Sequence, residues 1–188
     1  MSKLKIDREF EEIFRGFGLE VKTTEYQVLL SYPNFDNPNT IHFCGESTAD
    51  CSVELSEGLS EIYGPEEAQR QLRRDGRARN WFAGYAKPGA VTAPLVYANY
   101  GTEEDYSRLA ELLGDLTGKI ALVRYGKTFR SGKVFNARKY NITAVIVYND
   151  PGDYGSPGYA NGTAMPPWPD NNYLPPTETQ RGTFIFNA

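Results

Sequence analysis

The chain has 188 residues, a formal net charge of −4 and a 40 % hydrophobic composition that includes 13 tyrosines and 10 phenylalanines. That is enough to bury a substantial core as one domain plus an appendage, and it excludes disorder throughout. No apolar run approaches the roughly 20 residues of a membrane span. Met1–Lys5 does not open a signal peptide, so a targeting segment is expected upstream of Met1 if the parent protein is exported.

Ile6, Phe10, Ile13, Phe14 and Phe17 fall on one face at helical spacing, with acids and arginine opposite, and Gly16 and Gly18 suit the helix end. Val21–Tyr32 reads as a strand closed by Pro33 and Asn34, followed by a turn-rich stretch over Phe35–Asn39. Ile41–Cys44 and Cys51–Leu55 are expected to pair as a hairpin. Cys44 and Cys51 are the only cysteines; they are either two unrelated thiols or a disulfide closing a small loop, and the even count favours the bridge in an extracellular protein. The sole histidine, His42, lies on this hairpin. Zinc sites need several converging N, S or O ligands, so His42 beside Cys44 reads as an ordinary strand residue, and no metal or other cofactor is expected in this chain.

Ser56–Ala93 says least. Pro65, Glu66 and Glu67 suit the first turn of a short helix reaching Arg74. Arg70, Arg73, Arg74, Arg77 and Arg79 form a basic cluster without interleaved aromatics, a solvated face and not a nucleic-acid site.

From Pro94 an α/β pattern begins. Leu95–Asn99 is a strand, Thr102 caps a helix whose apolar face is Tyr106, Leu109, Leu112 and Leu113, and Gly114 and Gly118 bracket its exit. Ile120–Val123 and Ala144–Val147 are nearly all-apolar strands joined through a helix over Ser131–Tyr140, as a buried parallel sheet requires. The β-α-β-α-β order implies neighbouring parallel strands. After Tyr154, many Pro, Gly and Asn residues indicate a long surface loop, packed down by Trp168 and its flanking prolines.

Seven cations and no acid lie between Lys119 and Lys139. Such a cluster at a turn leading into a helix is where an anion would be held. A phosphate loop is excluded: five residues separate Gly126 from Gly132 instead of four, and Val134 stands where a hydroxyl should meet magnesium.

YQVLLSYPN (Tyr26–Asn34), PLVYANYGTEEDY (Pro94–Tyr106), GKIALVRYGKTFRSGKVFNARK (Gly118–Lys139), VIVYNDPGDYGSPG (Val145–Gly158) and Gln180-Arg181-Gly182 occur in an order that resembles the glutamate carboxypeptidase II and transferrin receptor family. The similarity runs from the end of the first ectodomain helix into the protease-associated (apical) domain, is weakest over Cys44–Ala93, and leans towards the carboxypeptidase branch. It implies an α/β fold: an incomplete protease-associated domain with a mixed β-sheet and flanking helices over 57–188, preceded over 1–56 by the N-terminal helix and strands of a zinc-peptidase domain. The stripe of Phe10, Phe14 and Phe17 would then be an exposed apolar patch without the peptidase sheet. The two zinc ions of the family belong to the peptidase domain, which this chain lacks, so the chain alone is expected to be inactive.

The resemblance also implies a type II membrane parent at the extracellular face, a homodimer, and an acidic C-terminal peptide as substrate. In glutamate-specific members, the residues matching Phe129 and Arg130 line the pocket for the substrate's C-terminal glutamate, the arginine gripping its α-carboxylate. The plainer reading is a surface ion pair or turn cap for Arg130 and a core role for Phe129. The competing class is a non-enzymatic, transferrin receptor-like or stand-alone interaction module. Asn141-Ile142-Thr143 and Asn161-Gly162-Thr163 are glycosylation sequons, Asn161 the better acceptor because Asn141 also suits a left-handed helix terminator.

Overall fold

A computed structural model describes residues 3–34, 36–37, 39–45, 51–56, 83–158, 162–163, 165–166, 170–174 and 182–184. The expected helix from Pro65 to Arg74, the arginine cluster, Trp168 and Asn161 lie outside the described residues. The chain divides into two compact units, Met1–Leu30 and Ser31–Ala188.

In the first unit, α1 spans Lys3–Gly16. It stops because Gly18 takes a positive φ of 78°, which lets Leu19 N–H reach the carbonyl of Phe14 at 3.1 Å and Gly18 N–H that of Arg15 at 2.9 Å. These are the two bonds that close a helix at a left-handed residue. The Phe10 and Phe14 rings stack at 6.3 Å. The strand expected over Val21–Tyr32 does not form. None of the described strands includes these residues, and Tyr26, Val28, Leu29 and Tyr32 are exposed. A β-rich run becomes a strand only where a neighbour completes its ladder.

The second unit opens with an antiparallel hairpin of β1 (Thr40–Cys44) and β2 (Cys51–Ser56). Cys44 and Cys51 close it as a disulfide. A short parallel ribbon joins β3 (Ala83–Gly84) to β7 (Gly182–Thr183).

The centre is a parallel sheet in the order β4 (Leu95–Tyr97), β5 (Ile120–Arg124), β6 (Ala144–Tyr148). Its crossovers run through α2 (Glu103–Leu113) and α3 (Arg130–Lys139). A short α4 (Pro151–Tyr154) follows β6, started by Asp150, whose carboxylate accepts from Gly152 N–H. Register places Val96, Ala121 and Val145 side by side. Ala121 and Val123 are fully buried, with Ala98, Tyr106, Leu116 and Ala137, and Val96, Leu109, Ala110, Tyr140, Ile142, Val145 and Val147 pack around them. Tyr106 and Tyr140 stack at 5.6 Å across α2 and α3.

The alternate residues of the strands are only half-buried, and Leu95 and Tyr97 are exposed. Of these apolar strands only β5 packs fully, and on one face. Leu112 and Leu113 are exposed as well, against the expected helix face. Leu112 is six residues from Tyr106, about 240° around the helix, and Leu113 stands in the final turn beside the Gly114 exit.

Thr102 and Asp105 form a reciprocal capping box at the start of α2. At the far end of α3, Asn141 adopts a φ of 54°, with Ile142 N–H on the Ala137 carbonyl and Asn141 N–H on that of Arg138, both at 3.1 Å. Asn141 thus terminates the helix with its side chain exposed.

Candidate functional site

In open α/β sheets, ligand-binding groups gather beyond the carboxyl ends of the strands. Here β5 ends in Arg124, and Tyr125–Phe129 lead to α3. The turn needs two consecutive left-handed residues, Gly126 at φ 101° and Lys127 at φ 63°, and Gly126 leaves room for the Tyr100 ring, which a Cβ there would approach to 3.1 Å. Phe129 sits at the N-cap of α3 with no side-chain cap bond. Its ring is 87 % exposed, which rules out a core role.

Arg130 is the first residue of α3 and is half-buried. Its Nε donates a long 3.4 Å bond to the carbonyl of Thr183 on β7. Its guanidinium lies against the bare Cα of Gly182. Among the described residues no carboxylate lies within ion-pair distance of it. The Tyr125 hydroxyl is raised by burial, an effect the nearby Arg130 charge opposes.

The remaining cations do not form the anion cradle that their clustering indicated. Lys133 is fully buried, and its ammonium donates to the carbonyls of Tyr100 at 2.5 Å and Gly126 at 2.8 Å. Burial pushes its pKa down to about 8. Arg124 pairs with Asp150 at 3.4 Å and Asp153 at 3.6 Å, and its guanidinium lies 4.0 Å from the centre of the Tyr100 ring. The same acids are tied into a tyrosine network: Tyr100 donates to Asp153 at 2.7 Å and Tyr148 to Asp150 at 3.0 Å. Lys139 pairs with Glu103. Sequence proximity had grouped cations that the fold assigns to separate tasks.

The β4–α2 turn is organised by Asp105, whose carboxylate accepts from Asn99 Nδ2, Tyr100 N–H, Thr102 N–H and Thr102 Oγ1. Burial acts to raise its pKa, but these donors outweigh that and hold it below the usual carboxylate range.

Phe129 and Arg130, adjacent in the chain, stand at the start of α3. Asn141 lies at the opposite end of a ten-residue helix, about 15 Å away along the axis. Cys44 and Cys51 belong to the separate hairpin. Gly182 and Thr183, which hold Arg130, were not singled out from the sequence for this role. No local pattern signals a contact across 53 residues. Among the described residues no group of three His, Cys, Asp or Glu could hold a metal, and no helix is long and apolar enough to cross a membrane.

The three-stranded parallel sheet with its two crossover helices lies within residues 91–182, which match the PA domain family. The chain carries a PA domain. Over most of its length it is homologous to a glutamate carboxypeptidase 2 homolog of Caenorhabditis elegans, 34 % identical over 96 % of this chain, and to the mouse aminopeptidase NAALADL1, 37 % identical over 89 %. The rat transferrin receptor protein 2 is similar at 32 % identity over 77 % of the chain. The chain spans only 22 %, 21 % and 16 % of those three proteins.

Proposed function

We propose that this chain is a non-catalytic segment of a glutamate carboxypeptidase-like zinc metallopeptidase, in which it recognises the C-terminal acidic residue of a peptide substrate. The observation that carries the reading is Arg130: a guanidinium fixed on backbone, with no carboxylate partner among the described residues, beside the exposed ring of Phe129. A planar fork of N–H donors matches a carboxylate in bidentate fashion, and a free aromatic face supplies an apolar wall. The glutamate carboxypeptidase name of one relative supports the same reading, while the aminopeptidase name of another supports a peptidase only.

In this proposal residues 1–56 belong to the peptidase domain and 57–188 to the PA domain. The zinc ions would belong to the rest of the whole protein; among the described residues no three His, Cys, Asp or Glu converge on a metal. The parent would be a homodimeric type II membrane glycoprotein at the extracellular face, with Asn161 and Asn141 as acceptors.

The test is Arg130→Ala in the full-length protein. KM for a dipeptide ending in glutamate should rise roughly tenfold to a hundredfold with kcat less affected, the loss of a charge-assisted bidentate contact. Lysine should rescue only partly, and a C-terminal amide should abolish the difference. An unchanged KM would make Arg130 an ordinary surface cation.

The similarity to a transferrin receptor supports a second reading, a non-enzymatic interaction module. Absence of chelator-sensitive hydrolysis by the full-length protein, with ligand binding retained, would favour it.

A further inference from the structure

Gly182 has no backbone reason to be glycine. It is not among the positive-φ glycines, and it pairs with Ala83 in a regular parallel register. What an added side chain would meet is Arg130. A Cβ at Gly182 would fall inside van der Waals contact of Cζ and Nη2 and would lie 2.6 Å from Nε. Three atoms of one guanidinium at nearly equal range mean that its flat side rests on the glycine.

We propose that Gly182 is a positioning residue for Arg130: its bare Cα forms the seat on which the guanidinium lies, so that the β3–β7 ribbon sets the angle at which Arg130 meets a carboxylate. The inference rests on the carboxylate-recognition reading given above. The neighbouring Thr183 carbonyl takes the Nε–H. That leaves the edge formed by Nη1 and Nη2 for the ligand, so the carboxylate of an acidic peptide approaches the guanidinium end-on. An arginine freed from the seat would still carry its charge but would have to order a long side chain on each binding event, and that ordering opposes affinity.

Alanine at position 182 separates position from stability. The group it displaces is the end of a flexible side chain, which can swing away, so the fold should tolerate the change. The experiment measures calorimetric binding of a dipeptide analogue that ends in glutamate and carries a non-hydrolysable isostere of the peptide bond, and of its C-terminal amide, to four forms of the full-length protein: unaltered, Arg130→Ala, Gly182→Ala and the double variant. Gly182→Ala should weaken the free acid roughly tenfold, about the size of one charge-assisted hydrogen bond, should leave the amide unchanged, and should move the thermal midpoint little. The double variant should bind like Arg130→Ala alone, because a seat without its occupant does nothing. If Arg130→Ala weakens binding and Gly182→Ala does not, the seat is wrong while the recognition reading stands. If Gly182→Ala weakens binding further on the Arg130→Ala background, it acts by another route and the proposal fails. If Arg130→Ala itself binds normally, the recognition reading falls and this inference with it. Should Gly182→Ala not fold, the double variant lacks the clash. Its folding would support the seat, and its failure to fold would show that Gly182 serves the strand instead.

Discussion

The ammonium of Lys133 lies 2.8 Å from the carbonyl oxygen of Gly126, joining the first turns of α3 to the bend that precedes them. The same nitrogen holds the Tyr100 carbonyl in the turn that follows β4. One buried cation therefore ties together two of the loops at the carboxyl edge of the sheet, and its aliphatic stem packs against Gly101, where a Cβ would lie 3.4 Å from that of Lys133.

Lys133→Met keeps the stem and removes the donor. It should cost about 2–4 kcal/mol in urea unfolding, since the carbonyls that the ammonium served lose a partner. The pH dependence has a definite sign. Burial lowers the folded-state pKa to about 8 from an ordinary 10.5, so between those values the unfolded chain binds the proton that the folded chain has shed. The stability of the natural chain relative to the methionine variant should therefore rise as pH goes from about 8 towards 10.5. A gap that narrows over this interval would contradict the buried placement.

Asp105 should show the opposite limb. Its folded pKa is depressed, so its contribution is fully present above the unfolded value near 4 and is lost as pH falls through the folded value. Asp105→Ala should cost about 1.5–3 kcal/mol at neutral pH, leaving the donors of Asn99, Tyr100 and Thr102 unmatched. The penalty should shrink in acid unfolding curves. A constant penalty down to pH 2 would mean that the carboxylate charge is not what the turn uses.

Reduction of the Cys44–Cys51 bridge should act locally. A loop with a sequence separation of 7 corresponds to about 2–3 kcal/mol of closure entropy. Amide exchange should accelerate in β1 and β2 while Ala121 and Val123 keep their protection. Equal acceleration in β5 would show that the hairpin and the parallel sheet unfold as one unit.

Phe10, Phe14 and Phe17 are 56 %, 44 % and 77 % exposed, an apolar stripe that favours self-association. Sedimentation of the 188-residue chain at high concentration should show oligomers, and Phe10→Ser with Phe14→Ser should restore the monomer. A sharp monomer for the unaltered chain would make the stripe harmless.

What the sequence revealed was local. Thr102 followed by Asp105, and Asn141 at the end of α3, are signals carried by a few neighbouring residues, and the structure places them as helix cap and terminator. The strands β5 and β6 were readable because their apolar runs are bounded by turns. The Val21–Tyr32 segment has a similar composition without becoming a strand, because pairing is decided elsewhere in the chain. The basic cluster misled for the same reason: nothing between Lys119 and Lys139 tells that Asp150 neutralises Arg124, or that Lys133 points inward. The pair Phe129–Arg130 is proposed as a site on resemblance, while the approach of Arg130 to Gly182 is a contact that only the fold creates.

The ribbon of β3 and β7 closes a span of 99 residues, from Gly84 to Thr183. Contacts so distant in sequence form late, because loop closure must precede them. During synthesis, α3 and the sheet can assemble while Arg130 still has no support. Two-residue strands add little stability of their own, so the ribbon should also be among the earliest parts to open in the mature protein. If Arg130 grips a carboxylate as proposed, that grip depends on a contact that forms late and opens early, and mild heat or denaturant should erode selectivity for acidic peptides before the domain itself unfolds.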